Sequence, residues 1–492
     1  MLRIKISRIT NASLFFILTF AQIIIVSWIS ISQKQPEPET TMLFQPIRIF
    51  GFFLSLNPLA DFQFTALLVL LTAGLQIFLL ALLVNIVFSN KNMIQIFPEP
   101  LYGPAHAPEE TPLVEKTIEL VTRIAKKANI KVNKIFVYRK AVPNAFSLDL
   151  FPIPFLRRPY IVLNTNVLEI LNDNEIEAVI AHELAHIKNG DSLVRLVLSI
   201  PRLFLNLVYL FIYLQIITGF LNVIFDTLDL YAALERAIFF ALAYVILSIV
   251  TKITVKFLYS ANHQAEYLAD YFAANLIGSD VLINSLIHLG QRSEAMQVLS
   301  KEIEWLQGLS GDKKLSSSFM RNIYQRFPKT QLNEDIARDL APRLFLEEKF
   351  QELVNCYDII LDQNLQQQLI DGAVPLLLEK RKKYYAALKD EEQELKPSIL
   401  KEKTIDWRLF DVDANRFLEA EEIERFITSL ITQPEKMVFE HELFQTPEKD
   451  QDHPGFRARI LNIYRFFHSE AYERILKTFL EQTGQRQSSS QF

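Results

Sequence analysis

The stretch Ile180 to Asp191 reads I-A-H-E-L-A-H-I-K-N-G-D. His182 and His186 are four residues apart, so on a helix both imidazoles leave from one face. Two nitrogens at that spacing can hold one Zn²⁺. Glu183 lies beside them, where a carboxylate can take a proton from a water polarised by the ion. The bland alternative is an amphipathic helix whose histidines pair with nearby acids. The chain has 8 histidines in 492 residues, and a second acidic motif follows downstream, so the metal reading is preferred.

That second motif is N-H-Q-A-E-Y-L-A-D, Asn262 to Asp270. Glu266 is a candidate third ligand, giving His₂Glu with one position open, the composition of a catalytic zinc site. His263, one turn earlier, is a rival third ligand. Asp270, one turn later, can accept the second N–H of a ligand histidine and fix its tautomer. Without the upstream motif, Glu266 and Asp270 would read as a solvated acidic helix face.

These residues need elements to hold them. Asn172 with Glu175 resembles a capping box, and Gly190 suits a left-handed helix end, so a helix is expected from about 173 to 189. Ahead of it, Thr111-Pro112 opens a helix to about Asn129, with Val114, Ile118, Val121 and Ala125 on one face. Lys134–Tyr138, Ala145–Leu150 and Tyr160–Leu163 read as strands. The Glu266 helix runs on through Ala274. A Pro-rich linker is expected over Phe97 to Pro112.

Half the residues are hydrophobic, Phe is abundant (38), Gly scarce (12), and the net charge is -5. Mild acidity with no long basic run argues against a nucleic-acid binder. The single cysteine, Cys356, excludes an internal disulfide framework and suits a reducing compartment; its own simplest reading is a buried small hydrophobe. Uncharged runs at about 9–33 and 62–90 are long enough to span a bilayer. The first is read as a retained anchor rather than a cleaved signal peptide. Leu203 to Phe225 and Ala237 to Thr251 form a further hairpin of two spans, the second extended by snorkelling Lys252 and Lys256; a buried helical pair is the rival. With four spans, Arg3, Lys5, Arg8, Lys91, Lys188, Arg195, Arg202, Lys252 and Lys256 fall on one side, and Lys34, Arg48 and Arg236 on the other. The bias puts the catalytic region in the cytosol.

With these motifs in hand, the chain resembles the M48 family of membrane-associated zinc metalloproteases, in its HtpX-like and CAAX prenyl protease-like branches. H-E-L-A-H-I-K-N-G-D matches the family's active helix, including the trailing acid Asp191. E-Y-x-A-D at Glu266 to Asp270 matches its third-ligand motif. Asn144, Ala145 and Phe146 match its N-A-F edge element, which the resemblance casts as a backbone binding edge for extended substrate. A late H-P-x-x-x-x-R-I element matches His453, Pro454, Arg459 and Ile460. The resemblance implies that His453 and Arg459 help stabilise the developing oxyanion; the rival reading is surface residues on a late helix. It is strong over roughly 95–280. Two departures stand out: His263 and Ala265 replace basic residues ahead of the third-ligand Glu, and about 282–450 intervenes before the H-P element.

Residues 282–492 are expected to be mostly helical, with a frayed tail from Gln485. Asp411, Asp413, Asn415, Phe417, Glu419 and Glu422 fall at EF-hand ligand positions. Arg416 stands where the loop needs Gly, and a single loop has no pair. Ca²⁺ is therefore not expected, and a capped helix start at Asp413 or Asn415 is preferred.

The expected molecule is a mainly α integral membrane protein. It has four transmembrane helices, a zincin-type α+β catalytic domain and a helical C-terminal region. Its divisions are 1–94 (two spans and connector), 95–202 (catalytic domain), 203–257 (transmembrane hairpin), 258–281 (third-ligand helix), 282–450 (accessory helices) and 451–492 (H-P element and tail). The expected function is zinc-dependent endopeptidase, with one Zn²⁺ per chain, in a multi-pass cell membrane (the bacterial cytoplasmic membrane) facing the cytosol. Its partners would be the bilayer and unfolded or membrane-associated polypeptides, in membrane-protein quality control. Alternatives are processing of a specific lipidated peptide, or a non-catalytic membrane adaptor with a structural metal.

Overall fold

In the computed structural model the described residues are 1–32, 47–49, 52–54, 93–98, 111–139, 143–149, 158–199, 230–310, 334–357, 362–386, 397–444 and 453–489, with isolated positions within 74–78 and 202–217. The apolar runs 62–90 and 203–225 lie almost wholly outside them, as does the Cys356 side chain.

The first helix, α1, is Leu2–Ser32. A four-stranded sheet follows, built from β1 (Met93–Phe97), β2 (Lys134–Tyr138), β3 (Ala145–Asp149) and β4 (Pro159–Asn164), with α2 (Thr111–Ala128) between the first two. Strand order is β1-β2-β4-β3, with β2 and β4 parallel and the other pairs antiparallel. Every residue of β4 is buried, as the apolar run Tyr160 to Leu163 requires for an interior strand. β3 is an edge, paired with β4 from Ala145 opposite Leu163 to Asp149 opposite Pro159. β1 was not foreseen: Met93–Phe97 is too short for its alternation to stand out beside the prolines that follow.

Helix α3, Asp173–Asn189, packs against α2 and β3. Its amino end is fixed by a reciprocal box: the Asn172 side chain accepts from the Glu175 N–H, and the Asn172 N–H donates to Glu175. Gly190 ends it at φ 67°, where a side chain would be strained.

Helix α4 runs unbroken from Leu230 to Ile277, 48 residues. The fourth apolar run and the Glu266 helix are thus one element. No Pro or Gly occurs within it, so nothing interrupts the hydrogen-bond ladder near 257, where the sequence suggested a division. Among the described residues two helical segments, Leu2–Gln22 and Tyr244–Ile277, are long and apolar enough to cross a membrane.

Beyond Gly278 lie α5 (Ser279–Ser310), α6 (Glu334–Tyr357), α7 (Gln363–Ala386), α8 (Ala420–Thr432), α9 (Phe456–Phe467) and α10 (Ser469–Ser489). One core joins the sheet, α2 and α3 to the first half of α5, α8 and α9, through Ile161, Ile180, Leu286, Phe426 and Ile460. A second core forms where the far half of α5 meets α6 and α7 around Leu299, Leu306, Ala341 and Leu377. The 282–450 stretch is therefore split, its first residues and its late part belonging to the core that holds the sheet and α3. α10 is helical to Ser489, where fraying was expected from Gln485.

The 411–422 loop corrects one expectation. Its helix begins at Ala420, capped by Glu419 and Glu422, not at Asp413 or Asn415. Arg416 does take the left-handed turn, at φ 69°. Oxygens of Asp411, Asp413 and Glu422 gather within 4.8 Å of one another. They are occupied by the chain itself: Asp411 accepts from the Asn415 and Arg416 N–H groups, and Glu422 from those of Val412 and Glu419.

Candidate metal centre

Helix α3 presents His182 and His186 on one face, their rings edge to face with centroids 4.8 Å apart. Helix α4 crosses beside it and delivers Glu266 between them. The three donor atoms converge: Nε2 of His182 lies 3.2 Å from Nε2 of His186 and 3.3 Å from Oε2 of Glu266. Nε2 of His186 lies 3.7 Å from Oε1 of Glu266. A tetrahedral ion with bonds of about 2.0–2.1 Å separates its ligands by about 3.3 Å, so these donors fit a zinc-sized ion. Glu183 joins the two histidines within 4.8 Å. His263 is not among the residues lining the cavity over this cluster.

Each histidine has a carboxylate behind it. Nδ1 of His182 is 2.9 Å from Oδ1 of Asp270, and Nδ1 of His186 is 2.6 Å from Oδ2 of Asp191. Those contacts hold the second ring nitrogen as a donor and turn Nε2 toward the cluster. His453 and Arg459 return to the site despite the long intervening stretch. Nδ1 of His453 is 3.0 Å from Oε1 of Glu266. Arg459 donates twice to Asp270, and its Nη2 lies 3.4 Å from Nδ1 of His182.

The site is electrostatically tense. Burial and the Arg459 cation would both lower the His182 pKa, yet hydrogen bonds to Asp270 and Glu266 outweigh them and raise it to about 10. Burial also works against the Arg459 charge, and Asp270 beside it nonetheless holds the guanidinium above its ordinary value.

A cavity of about 450 Å³ opens over the cluster, with Asn144, Ala145 and Phe146 on one wall and Leu286 on another. Edge strand β3 thus borders the same space as Glu183. Arg195, read from sequence only as a membrane-side charge, also lines it, 3.8 Å from Oε1 of Glu266. Its place one helical turn after Asp191 was the available signal.

The model of peptidase family M48 matches residues 113–316. That match takes in both His182 to Asp191 and Glu266 to Asp270, so the segment holding the cluster is similar to peptidase family M48. The chain is similar to a protease HtpX homolog of Campylobacter concisus, 32% identical over 124 residues, covering 25% of this chain and 37% of that protein. It is 35% identical over 108 residues to a protease HtpX homolog of Aquifex aeolicus, covering 22% and 32%. With the protease HtpX of Hydrogenovibrio crunogenus it shares 39% over 74 residues, 15% and 24%. The chain thus spans about a third of the length of the curated relatives it matches. No solved structure matches it.

Proposed function

We propose that this chain is a membrane-embedded zinc endopeptidase of the HtpX type, with a zincin-like catalytic domain facing the cytosol and four spans. The observation that carries the reading is the convergence of His182, His186 and Glu266 donor atoms at 3.2–3.7 Å beside Glu183. His182, His186 and Glu266 would hold Zn²⁺, which, when bound, supplies a Lewis acid and lowers the pKa of water at its open position. Glu183, beside the two histidines, is placed to act as the general base and would pass the proton to the leaving amine. Asp270 and Asp191 keep the two imidazoles in the tautomer that aims Nε2 at the ion.

Edge strand β3, at Asn144 to Phe146, pairs with an extended substrate through backbone groups. Such pairing is tolerant of sequence and suits unfolded or membrane-extracted segments, hence quality control as the setting. His453, whose side chain is 65% exposed and whose Nδ1 is held by Oε1 of Glu266, would offer its Nε2 to the oxyanion. Arg459 is committed to Asp270, and its part is to orient that carboxylate.

The test is metal content and cleavage of a denatured model protein by the purified full chain. About one zinc per chain, retained in His263→Ala and lost in Glu266→Ala, with chelator-sensitive cleavage, supports the reading. Zinc-free protein after metal supply, with the 282–450 helices still folded, would turn it toward a membrane adaptor.

A further inference from the structure

We propose that Arg8, on the N-terminal helix, is a positioning residue of the metal centre: it pins Asp191, which in turn pins the His186 ring. The inference rests on the zinc site proposed above. Nη2 of Arg8 lies 2.6 Å from Oδ1 of Asp191, an ion pair without hydrogen-bond alignment. The other oxygen of that carboxylate, Oδ2, is the one 2.6 Å from His186 Nδ1. Asp191 therefore divides its two oxygens between a cation and an imidazole.

A topogenic charge serving only to orient a helix would sit in water or among headgroups. Arg8 is 8% exposed and Asp191 3%. A carboxylate this buried needs a fixed partner, and its conformation passes directly to the ring it holds. The arrangement mirrors the one at the other ligand. His182 is backed by Asp270 and Arg459; His186 is backed by Asp191 and Arg8. One arginine comes from α9 near the carboxyl terminus, the other from the first turns of α1.

The rest of α1 is built to hold Arg8 there. Ser7 Oγ accepts from the Gln264 amide at 2.7 Å, and the Asn11 amide donates to Ser260 Oγ at 2.9 Å. Both partners lie on α4 within two turns of Glu266. One turn beyond Asn11, Phe15 is buried against Leu198 and Leu258. The membrane anchor is thereby seated on the same helix that supplies the third ligand.

The experiment measures Zn²⁺ affinity of the full chain in detergent by competition with a chromophoric chelator, and the visible spectrum of the Co²⁺-substituted protein. Arg8→Gln is expected to weaken zinc binding by about 10- to 100-fold and to shift the Co²⁺ bands, with Arg8→Lys restoring part of both. Arg3→Gln, which removes an exposed charge from the same helix end, leaves both unchanged. In an Asp191→Asn background, Arg8→Gln costs nothing further, as a group acting through Asp191 must. Should Arg8→Gln fail to accumulate, the exchange Arg8→Ile with Ile9→Arg preserves charge and composition while rotating the cation off Asp191, and the same loss is expected. Wild-type affinity and spectrum in these variants, while the parent binds zinc, overturn the role of Arg8 alone. A parent that binds no zinc overturns the metal site as well.

Discussion

Arg459 grips Asp270 with two parallel contacts, Nε to Oδ2 at 2.9 Å and Nη2 to Oδ1 at 2.5 Å. The Asp270 side chain is 1% exposed, so the pair is a planar fork around a carboxylate that solvent does not reach. That carboxylate also faces His182, so the late helix α9 is tied into the candidate metal centre through one shared residue.

Arg459→Ala should destabilise the protein by about 3–5 kcal/mol, because a buried carboxylate is left without its cation. Arg459→Lys keeps the charge but not the fork and should recover part of the loss. Thermal unfolding in detergent reads the effect; an Arg459→Ala protein as stable as its parent would show that Asp270 is supported some other way.

Glu183→Gln should keep the bound metal and lower cleavage of a denatured protein by about 10²- to 10⁴-fold, the usual worth of a positioned base. Metal analysis and turnover on the same sample separate the two. Undiminished turnover would remove Glu183 from the base role.

Pairing of substrate with β3 predicts that backbone groups matter more than side chains. Alternate-position N-methylation of a cleaved peptide should abolish its cleavage, whereas side-chain changes at the same positions should shift rates only several-fold. Equal cleavage of methylated and unmethylated peptides would argue against strand addition.

His441 predicts an acid limit. It is 5% exposed, stacked beside Phe439 and edge-on to Phe456. Burial, helped by the nearby Lys301 charge, lowers its pKa to about 4. In the unfolded chain it titrates near 6.5, so between pH 6.5 and 4 the unfolded state binds more protons. Stability present above pH 6.5 is then lost as pH falls toward 4, by about 3 kcal/mol for this group. His441→Phe should flatten that part of the melting-temperature profile; an unchanged profile would assign the acid loss elsewhere.

The local elements were readable because their signals are short-range. The capping box at Asn172 and Glu175, Gly190, and the four-residue spacing of His182 and His186 lie within one helix. Strands β2, β3 and β4 were visible for the same reason, and β1 was not. What stayed hidden is long-range. Nothing in the spacing of Arg459 shows that it reaches Asp270, or that Arg8 reaches Asp191, since those contacts depend on how distant helices stack. The sequence reading divided the chain at 257, where the apolar run extended by Lys252 and Lys256 ends. A change in polarity does not break a helix that holds no Pro or Gly, and α4 runs through that point. The bent loop at Arg416 was misjudged because backbone hydrogen bonds to Asp411 offset the steric cost of its left-handed turn.

Helix α4 is a single rod of 48 residues, about 72 Å from end to end at 1.5 Å per residue. It carries both an apolar stretch of membrane-crossing length and Glu266. Glu266 lies 10 residues beyond Lys256, about 15 Å along the same rod. The apolar stretch and the Glu266 donor are therefore parts of one continuous helix, with no Pro or Gly between them to let one turn independently of the other.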